Sequence, residues 1–223
     1  MKVGGTNYHV RIRGEWACFT RPELKIERVT YHVITPSAAR GVVEAILWKP
    51  AIRWHVHRIA VLAPIKFAAC KRNEVNKVVS VGNARKMMRG GDVPDFFADE
   101  DRAQRNALVL RDVDYLVDVS FTMTSRAGPE DNPVKFDEMF RRRLEKGQHH
   151  MAPYLGCREF PAIVTPARDD DPKPLDMTMD LGRMLLDVDY GKPNRPVFFA
   201  AKLQSGVLEV DPIHRRESGE EVA

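Results

Sequence analysis

Lys135 follows Asn132 by three residues and Pro133 by two, a spacing that places it on the first turn of a helix capped by Asn132. The unpaired backbone donors and positive pole of such a turn attract phosphate, and a lysine there adds a mobile charge. The same pole repels a cation, so a solvated first-turn lysine is the competing reading. His55, His57, His149 and His150 are the histidines that could gather around a metal. Two alternate along a strand pattern and two are adjacent, far from the tight four-ligand spacing of structural zinc. Cys18, Cys70 and Cys157 form no CxxC pair, so we expect three idle thiols, no disulfide framework, and no metal or cofactor.

The charge pattern points to a polyanion partner. Residues 1–91 carry 17 Lys and Arg against 5 Asp and Glu, net +12, and residues 92–223 carry 18 against 26, net −8, which together make the overall +4. A half this basic favours nucleic acid over a merely solvated surface. No run of apolar residues is long enough to span a bilayer and no charged-then-apolar leader opens the chain, so a cytoplasmic protein without a membrane is expected.

Elements that would position these groups read clearly in places. Residues 8–13 alternate Tyr8, Val10 and Ile12 with His9, Arg11 and Arg13, which predicts a strand with a basic outer face. Thr35 and Pro36 cap and open a helix with Ala39, Val43, Ile46 and Leu47 at helical spacing, stopped after Lys49 by Pro50. Residues 52–62 alternate again, with Arg53, His55 and His57 outward. Residues 66–91 show no clean period and end on Gly90 and Gly91, which predicts a basic, mobile insertion bordered by the acidic stretch 92–101. Residues 112–124 form the clearest strand. A helix from Pro133 carries Phe136, Met139, Phe140 and Leu144 on one side and ends with Gly147 as its C′ residue. Arg141, Arg142, Arg143 and Lys146 at its far end suit the negative pole of the macrodipole, with polyanion contact as the alternative.

A strand over 155–164 completes the order βαββαβ, so the expected fold is α+β, a ferredoxin-like (RRM-like) domain over 1–166. An acidic linker at 168–174 follows, and strands at 184–190, 197–203 and 207–210 predict a C-terminal antiparallel β appendage over 167–214. Residues 215–223 have little to bury and are expected to be a disordered tail.

Five stretches resemble one family in the same order along the chain: ACFTRPELKIERVTYHVITPSAARG, EAILWKPAIRW, KRNEV at 71–75, LRDVDYLVD and GQHHMAPYLGCREFPA. They are similar to the CRISPR-associated RAMP proteins of the fifth Cas family in its type I-C form. The resemblance implies cleavage of the repeat hairpin in CRISPR precursor RNA and retention of the 5′ handle in a type I-C effector complex, so its partners are CRISPR repeat RNA and the other subunits of that complex. RNA brings its own nucleophile, the 2′-OH. Metal-independent cutting then needs in-line geometry, a base, an acid at the leaving 5′ oxygen and a cation for the phosphorane charge. Lys135 is the expected electrostatic stabiliser.

The family tends to place a tyrosine where Leu47 stands and a histidine where Phe136 stands, and neither residue here can exchange protons. Tyr31, His32, His149 and His150 are the candidate substitutes, against an equal prospect that each is a packing residue. For RNA binding the candidates are Arg11, Arg13, Arg53, His55, Lys71 and Arg72 as phosphate contacts. Gly156, Cys157 and Arg158 resemble the family's glycine-bearing loop, where backbone can approach RNA. Non-catalytic hairpin binding is the alternative function, and duplex DNA on the same basic face stays open.

Overall fold

The computed structural model describes residues 7–24, 26–189 and 195–210. In chain order its elements are β1 (Tyr8–Ala17), β2 (Arg28–Val29), α1 (Pro36–Ile46), β3 (Ile52–Val61), β4 (Lys66–Val75), α2 (Val81–Met88), β5 (Arg102–Met123), α3 (Pro133–Glu145), β6 (Ile163–Pro166), β7 (Met179–Asp189), β8 (Arg195–Leu203) and β9 (Val207–Glu209). The main sheet runs β6-β1-β5-β3-β9 and is antiparallel along that path, with β2 and β4 also bonded to β5. Among the described residues no helix is long and apolar enough to cross a membrane.

The alternating strands put Tyr8, Val10, Ile12, Trp54, Val56, Val117, Val119 and Phe121 on one sheet face, beneath Val43 and Ile46 of α1 and Phe136, Phe140 and Leu144 of α3. Tyr8, Trp54, Phe121 and Phe140 pack ring to ring with centroids 4.5–6.2 Å apart. Each large side chain so buried contributes about 1.5–3 kcal/mol, which makes this cluster the anchor of both helices.

Both helix starts follow their caps. Thr35 accepts from the Ala38 amide at 3.2 Å and Asn132 from the Lys135 amide at 2.9 Å. At the end of α3 the amide of Gln148 donates to Arg143 O at 2.8 Å and that of Gly147 to Leu144 O at 3.3 Å, with Gly147 at φ +60°. This is a Schellman closure. Helix α1 instead stops at Ile46, short of the expected Lys49, because tertiary donors take its last carbonyls. His150 N reaches Ala45 O at 2.9 Å, Arg143 Nη1 reaches Ile46 O at 2.7 Å, and Trp54 Nε1 reaches Leu47 O at 2.8 Å.

Residues 66–91 are not an irregular insertion. β4 pairs with β5 over ten registered positions, from Lys66↔Arg111 to Val75↔Arg102, and α2 sits at the tip, capped by Ser80. The half-buried side of β4 is Ala68, Cys70, Arg72 and Glu74, so its alternation is one of small and polar residues that hydrophobic periodicity cannot register. β5 accordingly begins at Arg102, ten residues before the expected 112, and Asp112 at φ +53° marks a local break within it.

The strand expected over 155–164 is reduced to Ile163–Pro166. Residues 155–160 instead close a turn, with Leu155 N donating to Phe160 O at 2.8 Å and Phe160 N to Cys157 O at 3.0 Å. Gly156 adopts φ +81°, and a Cβ there would lie 2.1 Å from Cys18 O. Of the three expected C-terminal strands, β7 and β8 pair as a separate two-stranded sheet, while β9 bonds to β3 and extends the main one. Segment 168–174 is pinned by Asp171, which accepts from Arg168 N at 2.8 Å and Arg11 Nη1 at 2.6 Å. Tyr190 and the expected tail at 215–223 lie outside the described residues.

Candidate nucleic-acid interface

Lys135 stands in a cleft of about 300 Å³ lined by Lys49, Pro50, Ala51, Arg126, Asp131, Phe136 and Met139. The antiparallel pairing of β3 with β5 builds it: Thr124 N donates to Ala51 O at 2.8 Å and Thr124 Oγ1 to Pro50 O at 2.6 Å, bringing the turn at Lys49 against Arg126. The N-terminus of α3 supplies Lys135. Its Nζ donates to Asp131 Oδ1 at 3.1 Å and Glu130 O at 3.3 Å, and lies 5.6 Å from the Phe136 ring centroid. The Gly128 amide, then Lys135, hold the Asp131 carboxyl below the usual carboxylate range. Three cations and one carboxylate thus converge at a helix N-terminus, a setting suited to phosphate.

Lys49 and Arg126 escape sequence reasoning because only strand pairing makes neighbours of positions so far apart. Leu47 and Phe136, by contrast, are 0% and 1% exposed, and belong to the core.

None of the four proton-transfer candidates lies beside Lys135. Tyr31 and His32 precede α1, an 11-residue helix and so about 16 Å long, while Lys135 faces the turn beyond its other end. Tyr31 is buried with the Arg21 guanidinium 4.7 Å from its ring centroid, and burial pushes its phenol up. His32 meets Phe67 edge-on, and burial and then Arg21 push its pKa down. His149 and His150 are exposed beyond the C-terminus of α3, whose last residue, Glu145, lies about 15 Å along the axis from Lys135.

The outward face of the sheet is less basic than its sequence. β5 runs through its middle and presents Asp114 and Asp118, which pair with the cations of β1 and β3. Arg11 donates through Nε and Nη2 to Asp114 at 3.0 and 2.6 Å and through Nη1 to Asp171. His9 Nδ1 lies 2.6 Å from Asp118, and Arg58 lies 3.8 Å from it. His55 and His57 hydrogen-bond Thr122 and Ser120, and among the described residues no three His, Cys, Asp or Glu side chains gather as metal ligands. Arg13, Arg53, Lys71 and Arg158 are the exposed cations among the RNA-binding candidates. Arg72 pairs with Glu74 at 3.6 Å and with Glu159. Gly156 lines a second groove of about 360 Å³ with Thr20, Thr35, Ser37, Arg40 and Tyr154.

A family model described as CRISPR-associated protein (Cas_Cas5) matches residues 8–211. The chain belongs to the Cas5d family. Two curated Cas5d relatives, each named CRISPR pre-crRNA endoribonuclease, are similar to it over nearly their whole length. The one from Mannheimia succiniciproducens is 46% identical, covering 93% of this chain and 96% of the relative. That from Thermus thermophilus is 43% identical, covering 94% and 96%. A crystal structure of a CRISPR-associated protein shares the fold at a TM-score of 0.67 and 22% identity, covering 92% of this chain and 91% of that one. The Lys49, Arg126 and Lys135 cleft and the exposed Arg13, Arg53, Lys71 and Arg158 carry the positive charge that phosphate contacts require.

Proposed function

We propose that this Cas5d chain is a metal-independent endoribonuclease that cuts precursor CRISPR RNA at the repeat hairpin and keeps the 5′ handle within a cytoplasmic type I-C effector complex. The reading takes the order β6-β1-β5-β3 with α1 and α3 as a ferredoxin-like unit, to which β7 and β8 are appended. The convergence of Lys49, Arg126 and Lys135 at the start of α3 is the observation that carries it. Relatives 43–46% identical that are named pre-crRNA endoribonucleases support it.

Lys49 and Arg126 hold phosphates flanking the cut. Lys135 leaves Asp131 for the phosphorane oxygens as the 2′-OH attacks in line. Asp131 is the carboxylate in the cleft placed to accept the 2′-OH proton. Its lowered pKa makes it a weak base, so cutting is slow. The test is incubation with cognate repeat RNA in EDTA, alongside RNA carrying a 2′-deoxy sugar at the cut. Cleavage in EDTA that the deoxy substitution abolishes is expected; dependence on added metal sinks the mechanism.

The burial of Leu47 and Phe136, and the distance of Tyr31, His32, His149 and His150 from Lys135, favour one second reading: a non-catalytic subunit that holds the hairpin or its 5′ handle. It requires salt-sensitive binding without product at long times.

A further inference from the structure

The three cysteines, far apart in sequence, meet in a second small core. Cys18 and Cys157 are buried with Ala107 and Val109, and Cys70 packs against them from β4. Arg28 Nη1 donates to Sγ of Cys157 at 3.2 Å, and the Cys157 thiol faces Cys18 O at 3.7 Å. Cys18 Sγ lies 3.5 Å from Thr20 Oγ1. Arg28 is itself held by Glu74 at 3.2 Å and reaches Glu159 at 4.0 Å. Cys18 N donates to Leu155 O at 3.0 Å, and Gly156 lies too close to Cys18 O to admit a Cβ, so the backbone holds the two sulfurs together.

Hydrogen bonds from the Cys18 thiol and the Arg28 guanidinium hold the Cys157 thiol well below its ordinary range. The Cys18 thiol is pushed up by its bond to Cys157 and by burial. The guanidinium 3.2 Å from Cys157 marks that sulfur as the attacking nucleophile, and its neighbour Cys18 as the resolving thiol.

We propose that Cys157 is a peroxide-reactive modification site whose resolving partner is Cys18. The Cys157 thiolate attacks the terminal oxygen of a hydroperoxide. The S–O bond forms, the O–O bond breaks, and the alkoxide or hydroxide leaves to take a proton from water. Sulfur is oxidised by two electrons to the sulfenic acid and the peroxide is reduced. The Cys18 thiol then attacks that sulfur, the S–S bond forms, and the hydroxyl departs as water with the Cys18 proton. The disulfide fastens the turn carrying Gly156 and Arg158 to the end of β1 and takes from Arg28 its sulfur partner, leaving it to Glu74 and Glu159. The proposal stands on this sulfur pair alone and is independent of whether the chain cuts RNA.

The experiment treats the reduced full-length wild-type chain with hydrogen peroxide, blocks remaining thiols with an alkylating reagent at intervals, and maps the peptides by mass spectrometry. A Cys18–Cys157 disulfide is expected, forming about tenfold or more faster than any oxidation of Cys70. In Cys18→Ser the product stops at a Cys157 sulfenic acid that dimedone traps. In Arg28→Gln, oxidation of Cys157 slows about tenfold at neutral pH while far-UV dichroism is kept. Cys70 reacting first, or Cys18 and Cys157 persisting as thiols, overturns the proposal. The competition among the three thiols is read in wild-type protein, so it decides the matter even where a variant fails to fold.

Discussion

Asp131 and Lys135 are joined one helical turn apart at the start of α3, Oδ1 to Nζ 3.1 Å. Their side chains are 24% and 42% exposed, and an ion pair that open adds little to stability. Lys135 can therefore leave Asp131 for a phosphate at little cost, and the pair acts as a parking contact. Asp131→Asn removes the charge while an amide oxygen can still accept from Gly128 N. We expect RNA binding to tighten several-fold at low salt and cleavage to slow. Weaker binding in a filter or fluorescence titration contradicts this assignment.

Trp54 ties β3 to the residue that ends α1. Trp54→Phe keeps the packing on Phe140 but leaves Leu47 O without its indole donor. An unsatisfied buried carbonyl costs about 1–3 kcal/mol, to be read as a lower urea midpoint with an unchanged m-value. An unshifted midpoint would mean that water replaces the donor.

That same contact marks where sequence reading stops. The starts of α1 and α3 are legible because Thr35-Pro36 and Asn132-Pro133 act on amides within three residues. The end of α1 is not, since donors from Trp54, Arg143 and His150 arrive from other elements. β4 hides because its half-buried side carries Arg72 and Glu74. The candidate site divides the same way. Lys135 is visible from its place in the first turn, whereas Lys49 and Arg126 become its neighbours only when β3 and β5 pair. Likewise the basic face of β1 and β3 is offset by Asp114 and Asp118, which the lopsided charge of the two halves foretells only in total.

The double substitution Leu47→Tyr with Phe136→His introduces proton-transfer groups at two buried positions. It is expected to destabilise the fold by about 1–3 kcal/mol through polar burial and to raise the rate of RNA cutting in EDTA. A folded double variant that cuts no faster than wild type argues that positions 47 and 136 are structural.

Acid should loosen segment 168–174 first. The Arg168 amide, then Arg11, hold Asp171 below the usual carboxylate range. A carboxyl so depressed contributes stability that is fully present above its unfolded pKa, near 4, and is lost as pH falls through the folded value. Amide exchange at 168–174 is expected to rise in that acidic window, and Asp171→Asn to raise it already at neutral pH. Exchange in this segment that is indifferent to both changes refutes the clamp.

Whether Lys135 stabilises a transition state is decided by single-turnover cleavage and equilibrium binding of repeat RNA, measured side by side for Lys135→Ala. A cleavage rate lower by about a hundredfold or more is expected, with binding weakened by less than about tenfold. Equal losses in both, or no cleavage by the wild-type chain, would contradict that role.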